Sequence, residues 1–217
     1  MFYPLVGALL GATGWAIHAA LGALLPRPFV AALILTAWAL LTGALHEDGL
    51  ADTADALGSQ SSRDDILRVM KDSRIGSYGA LALILATLLR WQGLAHIPKE
   101  SLAFALIGSQ VLSRAGAVAL GFFAGPAAAG YGGALIGSLR GRHLAGTALV
   151  ALLLLSPWWH WLTLVAAACC LLTVVLLSSY FKGRLAGVTG DCLGAAILIQ
   201  EIVVLACVLV GSAVSSS

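Results

Sequence analysis

The sequence predicts an all-α fold: a polytopic membrane helical bundle of about seven transmembrane helices, forming one integral-membrane domain over residues 1–217. Two observations support this prediction. Of the 217 residues, 60% are hydrophobic and only 10% are charged, and the mean hydropathy is +0.97, which lies outside the range of soluble globular domains. Several apolar runs also reach about the 20 residues that a helix needs to cross a bilayer. The chain is therefore expected to lie in a lipid membrane.

Five apolar runs each predict one transmembrane helix. They are residues 2–25, 28–45, 78–96, 102–123 and 192–214. The first is expected to be a retained helix, because it has no basic start or cleavage site of the kind that marks a signal peptide. The apolar stretch 144–181 is too long for one helix. Pro157 divides it beside several tryptophans, which are typical of the membrane interface, so we expect two helices there and seven in all.

The basic residues support this arrangement, because seven spans place eight of them on the same side of the membrane. These are Arg63, Arg68, Lys71, Arg74, Arg140, Arg142, Lys182 and Arg184. The other side would carry only Arg27 and Lys99. Cytoplasmic loops are enriched in Lys and Arg, so the first side is predicted to be cytoplasmic and the N-terminus inside. A net charge of +2 gives no reason to expect a nucleic-acid partner.

An acidic stretch follows the second predicted span. Asp48, Asp52 and Asp55 are spaced i, i+4 and i+7, which places them within roughly a 60° arc of a helix. Three such carboxylates raise one another's pKa unless a cation lies between them. Oxygen ligands suit Mg²⁺ or Mn²⁺, and Mg²⁺ is commonly held by one or two carboxylates together with substrate phosphates. The arc therefore predicts a pyrophosphate-cleaving metal site; the alternative is a solvated helix end.

Residues 61–74 predict an amphipathic helix lying on the cytoplasmic membrane surface between the second and third spans. Its apolar face would comprise Ile66, Leu67, Val69 and Met70, the kind of face that interfacial helices bury. The segment ends in residues suited to a phosphate-binding lid, namely Lys71, Asp72, Ser73 and Arg74. Arg offers phosphate a planar fork of donors, and Lys offers a point charge. The alternative is that this helix is only an anchor.

Two charges lie inside apolar runs, and the bilayer makes such charges costly unless they have a partner. Arg114 and Glu201 are therefore a candidate ion pair, either structural or functional. Arg90 is near enough to a helix end to reach the interface, and we assign it no role. Before the last span, Gly190 would let backbone approach a ligand closely, and Asp191 is placed to be an N-cap. The alternative is a capped helix with small-residue packing.

Four stretches together resemble one family. HEDGLADTADALG (residues 46–58), RVMKDSRIGSYG (68–79), the Ser113–Arg114 pair and GVTGDCLGAAILIQE (187–201) resemble, in order and spacing, the cobalamin synthase (adenosylcobinamide-GDP ribazoletransferase) family of vitamin B12 assembly. The resemblance implies a multi-pass enzyme of the bacterial inner membrane that depends on Mg²⁺, with Mn²⁺ as a substitute. Such an enzyme joins α-ribazole or its 5′-phosphate to adenosylcobinamide-GDP and releases GMP.

On this resemblance, roles can be assigned to the motif residues. The metal ligands would be Asp48, Asp52, Asp55 and, from the facing helix, Asp191. The substrate-binding residues would be Lys71, Asp72, Ser73, Arg74, Arg114 and Gly190. The base that accepts the hydroxyl proton would be Asp55, His46 or Glu47. Asp55 is preferred, because His46 lies opposite the aspartate arc on an ideal helix.

Two other functions fit parts of the pattern. A CDP-alcohol phosphotransferase also places aspartates after an Asp-Gly pair, but its signature has arginine after the alanine, where this chain has Asp52 after Ala51. An ion transporter would be expected to show repeats with polar residues near the midplane in both halves, and this sequence has no internal repeat. Whether the chain forms an oligomer stays open.

Overall fold

The computed structural model describes residues 2–59 and 62–215, which form ten α-helices and their connections. The helices are α1 Tyr3–Leu21, α2 Arg27–Thr42, α3 Leu45–Ser59, α4 Arg63–Val69, α5 Ser77–His96, α6 Lys99–Ala124, α7 Tyr131–Gly137, α8 Gly141–Leu155, α9 Trp161–Leu185 and α10 Gly190–Ser215. A short 3₁₀ turn, Ser156–Trp158, follows α8. The prediction of an all-α helical bundle is confirmed.

Five helices, α1, α5, α6, α9 and α10, are long and apolar enough to cross a membrane. Two pairs of shorter helices, α2 with α3 and α7 with α8, are each bent by 88°. If each bent pair counts as one span, the total is seven, as the sequence predicts. The first bend follows Gly43, which adopts a left-handed conformation at φ 63° that glycine reaches without steric cost. The acidic stretch is therefore a helix of its own, set at an angle to α2.

Helix α6 forms the centre of the bundle and packs against α1, α8, α9 and α10. Of its most apolar 18 residues, 83% are buried, against 28% in the equivalent window of α1. Glycines allow α1 to approach it closely, since a Cβ on Gly7 would lie 2.3 Å from the Gln110 carbonyl oxygen. Membrane helices commonly pack in this way through small residues.

The loops at one end of the bundle are tied together by hydrogen bonds. Ala127 N–H donates to the Val188 carbonyl at 2.9 Å, so the connection after α6 lies beside the connection after α9. The Arg63 guanidinium donates to both connections, through the carbonyls of Ala127 and Leu185. Three chain segments are thus fixed where α10 begins, and this sets the position of its first residues.

Helix α4 is shorter than predicted and packs differently. It spans seven residues, Arg63–Val69, while Ser61, the predicted start, lies outside the described residues. The prediction that its apolar face lies on the membrane is wrong: Ile66 and Met70 are buried in a hydrophobic cluster with Phe181 and Val188. The cause is that the helix folds back onto the end of the bundle, where protein rather than lipid covers these side chains.

Candidate active site

Two helices bring carboxylates together where α3 crosses the start of α10. A Cβ on Gly49 would lie 2.8 Å from the Asp191 carbonyl oxygen, and one on Gly194 would lie 3.3 Å from the Cα of His46. Backbones can approach this closely only where side chains are absent. Asp191 therefore lies beside α3 at Gly49, which is less than one helical turn from Asp52.

The sequence predicts Asp191 as the N-cap of α10, and this prediction is wrong. Thr189 has that role: its Oγ1 accepts a hydrogen bond from Cys192 N–H at 3.3 Å, and its carbonyl accepts one from Leu193 N–H. Threonine is a good N-cap residue, and here it lies one position before the first helical residue. The Asp191 carboxylate accepts a hydrogen bond from the Thr189 hydroxyl at 3.3 Å and one from its own backbone N–H.

The carboxylates near this crossing affect one another's charge. Asp52 belongs to α3, outside the five spanning helices. Burial raises the pKa of Asp52 to about 6, with further contributions from the charges of Asp48, Asp191 and Asp55. Within residues 2–59 and 62–215, however, no three His, Cys, Asp or Glu side chains are grouped closely enough to hold a metal ion by themselves. A cation here would need oxygen atoms from a substrate as well.

A cavity of about 590 Å³ opens beside these carboxylates, between the start of α3 and the segment that follows α4. We call it the α3 cavity. Its lining consists of Gly43, Ala44, Leu45, Glu47, Asp48, Ala51, Asp52, Met70, Lys71, Asp72, Ser73, Arg74, Ile75 and Leu83. Acidic residues of α3 thus face the basic and polar residues that the sequence predicts to bind phosphate. Gly190 and Asp191 are absent from this lining; Asp191 approaches Gly49, the chain neighbour of the lining residue Asp48.

The two basic residues of this cavity differ in their contacts. Arg74 folds back on Asp72, with its Nη2 donating to Oδ2 at 2.7 Å and its Nε to Oδ1 at 3.0 Å. Lys71 is exposed, and among the described residues its side-chain ammonium has neither a hydrogen-bond nor an ion-pair partner. Exposed ion pairs are weak, so an anionic ligand can displace Asp72 from Arg74 at little cost. Both cations are therefore available to a phosphate.

The structure places Asp55 in a different environment from Asp48 and Asp52. It is buried, and its two carboxylate oxygens accept hydrogen bonds from Gly76 N–H at 2.7 Å and from Gly79 N–H at 2.8 Å. The carboxylate therefore caps the start of α5, where unpaired backbone N–H groups and the helix dipole favour an anion. Both oxygens are occupied, which departs from the predicted roles of metal ligand and base.

Arg114 is buried and His46 beside it is half-buried, and neither residue lines the α3 cavity. Arg114 donates a hydrogen bond to Glu201, which is the pair that the sequence suggested, and one of its nitrogens lies 3.4 Å from His46 Nδ1. Arg114 is 3% exposed and is absent from the cavity lining. Glu201 holds the Arg114 guanidinium within the bundle, and the predicted contact of Arg114 with substrate phosphate stays a prediction.

Sequence reasoning missed Arg90. The expectation that its side chain reaches the interface is wrong: Arg90 is 4% exposed and pairs with Glu201 at 2.8 Å and with Glu47 at 3.0 Å. The signal that could have found it was its position inside an apolar run. A charge there needs a buried partner, and Glu201 was a candidate. Arg90 thus joins the interior ion pair to Glu47, and Glu47 lines the α3 cavity.

Comparisons with known proteins agree on one family. The profile of a family described as cobalamin-5-phosphate synthase matches residues 1–209. Three relatives are each named adenosylcobinamide-GDP ribazoletransferase. The one from Ralstonia nicotianae is 38% identical over 94% of this chain and 81% of the relative. The one from Pseudomonas fluorescens is 39% identical over 94% and 85%, and the one from Bradyrhizobium diazoefficiens is 41% identical over 93% and 79%. No solved structure matches.

Proposed function

This chain belongs to the cobalamin-5-phosphate synthase family, and from that premise we propose that it joins α-ribazole, or its 5′-phosphate, to adenosylcobinamide-GDP and releases GMP. The observation that supports this reaction best is the α3 cavity, where carboxylates face Lys71 and Arg74 across one space. A pyrophosphate needs both a cation site and basic donors. The names of the relatives indicate neither a CDP-alcohol phosphotransferase nor an ion transporter. The carboxylates also lie at one end of the bundle, whereas a transporter would place polar residues near the midplane.

The proposed reaction breaks the phosphoanhydride bond of the pyrophosphate and forms a phosphodiester. A ribazole hydroxyl attacks the phosphorus on the cobinamide side of the pyrophosphate, and the bond from that phosphorus to GMP breaks. Catalysis of such a transfer rests mainly on positioning and on stabilising negative charge. Lys71 and Arg74 hold phosphate oxygens, while Asp72 releases Arg74 when the substrate enters. The Ser73 hydroxyl donates a hydrogen bond to a phosphate oxygen. Gly190, which has no side chain, leaves room for the substrate beside Asp191.

We assign a divalent cation, Mg²⁺ with Mn²⁺ as a substitute, to Asp48, Asp52 and Asp191. The donor set fits: hard oxygen ligands on two facing helices, in surroundings that disfavour ionised Asp52 when no cation is present. One or two carboxylates with substrate phosphate oxygens are the usual Mg²⁺ environment, and this site offers three carboxylates. When bound, the ion supplies positive charge that stabilises the phosphate oxygens. Asp55 is assigned instead to holding the start of α5.

We also propose that the α3 cavity opens to the cytoplasm. The residues that border it, including Lys71 and Arg74, belong to the connections that carry most of the basic residues. By the positive-inside rule this side of a bacterial inner-membrane protein faces the cytoplasm. Both nucleotide substrates are supplied there.

One experiment tests the reaction. Purified protein in lipid vesicles is given adenosylcobinamide-GDP and α-ribazole 5′-phosphate, with Mg²⁺ or with a chelator, and GMP and corrinoid products are followed by chromatography. We expect GMP and a cobalamin 5′-phosphate in equal amounts, only with Mg²⁺. Folded protein that forms neither product would contradict the proposal.

A further inference from the structure

A second cavity of about 360 Å³ lies between α2 and α5. We call it the α2–α5 cavity. Its lining consists of Ala32, Leu35, Thr36, Ala39, Glu47, Thr87, Leu88, Arg90 and Trp91. The volume falls within the roughly 300–1,000 Å³ typical of small-molecule sites. Its composition is also typical of such sites, since most of the wall is apolar and a few polar groups lie together at one end.

The polar end of this cavity is incompletely paired. Glu47 and Arg90 bond to each other through Oε1 and Nη1. Glu47 Oε2 and Arg90 Nε are also buried, and in the described part of the chain neither has a hydrogen-bond partner. A buried polar atom without a partner costs free energy, so a polar group of a ligand at this wall would be stabilising.

Glu47 is the one described residue that lines both cavities. On its other side lie Asp48, Asp52 and Lys71, where the pyrophosphate would be held. A group bound in the α2–α5 cavity at Glu47 is therefore next to the site of phosphoryl transfer. The donor pyrophosphate needs the basic residues of the α3 cavity, which leaves the mostly apolar α2–α5 cavity for the ring and sugar of the acceptor.

We propose that the α2–α5 cavity binds the acceptor nucleoside, with its apolar ring against Leu35, Leu88 and Trp91 and its sugar toward Glu47. This inference rests on the proposed function and adds the place and orientation of the second substrate. Thr36 and Thr87 line the cavity from α2 and α5. The Thr36 hydroxyl donates to the Ala32 carbonyl, so toward the ring or sugar its oxygen can act only as an acceptor. A lipid chain would fit the apolar wall but would leave Glu47 Oε2 and Arg90 Nε without hydrogen-bond partners.

The same position makes Glu47 the base. Its Oε2 takes the proton from the ribazole hydroxyl as the hydroxyl oxygen bonds to the cobinamide-side phosphorus. The bond from that phosphorus to the GMP oxygen breaks, and GMP leaves with the electron pair. Arg90 keeps hold of Oε1 throughout and so orients the carboxylate. Of the predicted bases, Asp55 is used by α5 and His46 by Arg114, whereas Glu47 has one oxygen without a partner.

The cavity is tested by filling it from either side. Ala39→Phe acts from α2 and Thr87→Leu from α5, and both are compared with the unaltered protein. Leu40→Phe and Leu89→Phe are the matched controls, because both side chains are exposed and neither lines the cavity. Binding of radiolabelled α-ribazole to protein in vesicles is measured without donor, and KM values are measured for each substrate.

We expect the filling variants to weaken α-ribazole binding and raise its KM by about tenfold or more, with the KM for adenosylcobinamide-GDP unchanged. The controls should behave like the unaltered protein. Unchanged α-ribazole binding in both filling variants, or equal losses in the controls, would overturn the proposal. If GMP is never formed but α-ribazole binds and the filling variants abolish this binding, the proposed reaction fails while the nucleoside site stands.

The role of Glu47 has a separate test. Glu47→Gln keeps the size and one oxygen acceptor, so α-ribazole binding should change by less than about threefold, whereas kcat should fall by roughly 10²-fold or more. A kcat within threefold of that of the unaltered enzyme, or a loss of α-ribazole binding as large as the loss of kcat, would exclude Glu47 as the base.

Discussion

At the scale of single residues, the three aspartates of α3 share one helical arc but have three environments. Asp48 is exposed, Asp52 is half-buried near Asp48 and Asp191, and Asp55 is buried with both oxygens bonded to backbone N–H groups. Residues that look equivalent in the sequence thus have different tasks. Asp48 and Asp52 are suited to hold a cation, and Asp55 is suited to hold a helix.

We predict that Asp48→Asn or Asp52→Asn lowers GMP release by about 10²-fold or more, because a metal ligand is lost. The thermal midpoint of the metal-free protein should stay the same or rise in Asp52→Asn. Since folding raises the pKa of this carboxyl, its ionised form destabilises the native state above the unfolded pKa, and asparagine removes that cost. Chromatography of GMP and thermal unfolding followed by circular dichroism measure the two effects.

Asp64→Asn is the control for that prediction. Asp64 is exposed and lies 3.6 Å from Arg63, so the same chemical change should alter neither activity nor stability measurably. If the Asp48 and Asp52 variants instead lost folded protein in proportion to activity, their role would be structural.

Arg90 is expected to dominate the stability of the interior network. Arg90→Met leaves Glu201 and Glu47 with one partner fewer inside the bundle, and removing one member of a buried pair typically costs about 3–5 kcal/mol. Unfolding in detergent mixtures should show this loss. Lys99→Met, at an exposed helix start, should show none, and a loss equal to that of Arg90→Met would indicate a general effect of losing a positive charge.

At the scale of elements, the site depends on how closely α3 and α10 cross. Gly49→Ala places a Cβ 2.8 Å from the Asp191 carbonyl oxygen, so one helix must move. We expect a loss of about 1–3 kcal/mol in stability, as for other overpacked sites. Activity should fall further than stability alone explains, because Asp191 moves away from Asp52.

Gly183→Ala is the matched control, since a Cβ there meets open space within a helix. It should leave activity unchanged and stability unchanged or raised by up to about 1 kcal/mol. The free energy of unfolding and the rate of GMP release, measured together on both variants, separate a packing effect from a change in helix propensity. Equal behaviour of the two variants would contradict a close crossing.

The segment between α4 and α5 should depend on Asp55. Asp55→Ala leaves the N–H groups of Gly76 and Gly79 without their acceptor, at a cost of about 1–2 kcal/mol. We expect faster trypsin cleavage after Lys71 and Arg74. Asp52→Ala, one turn away on α3, should leave cleavage unchanged, and equal acceleration in both variants would argue against a specific cap.

At the scale of the whole molecule, orientation in the membrane is testable. Single cysteines replacing Arg142 and Lys99 lie at opposite ends of the predicted topology. In intact cells an impermeant maleimide should label Lys99→Cys and should label Arg142→Cys only after the membrane is opened. The parent chain, whose four cysteines are buried or half-buried, is the background control. Reversed labelling would place the α3 cavity outside.

Much of the architecture could be predicted from the sequence, because apolar content and run length decide whether a chain forms membrane helices. The Arg114–Glu201 pair was predictable for a related reason: buried charges need partners, and few candidates exist. The grouping of the α3 carboxylates with Lys71 and Arg74 followed from motifs that lie on either side of a single short helix.

Only the tertiary structure decided the rest, because helical spacing fixes the direction of a side chain but not what lies opposite it. The start of α5 meets Asp55, and Thr189 rather than Asp191 caps α10. Arg90 turns inward to Glu201, and Glu47 becomes a wall of two cavities. Each outcome depends on which helix faces meet, and packing between segments distant in the chain determines that.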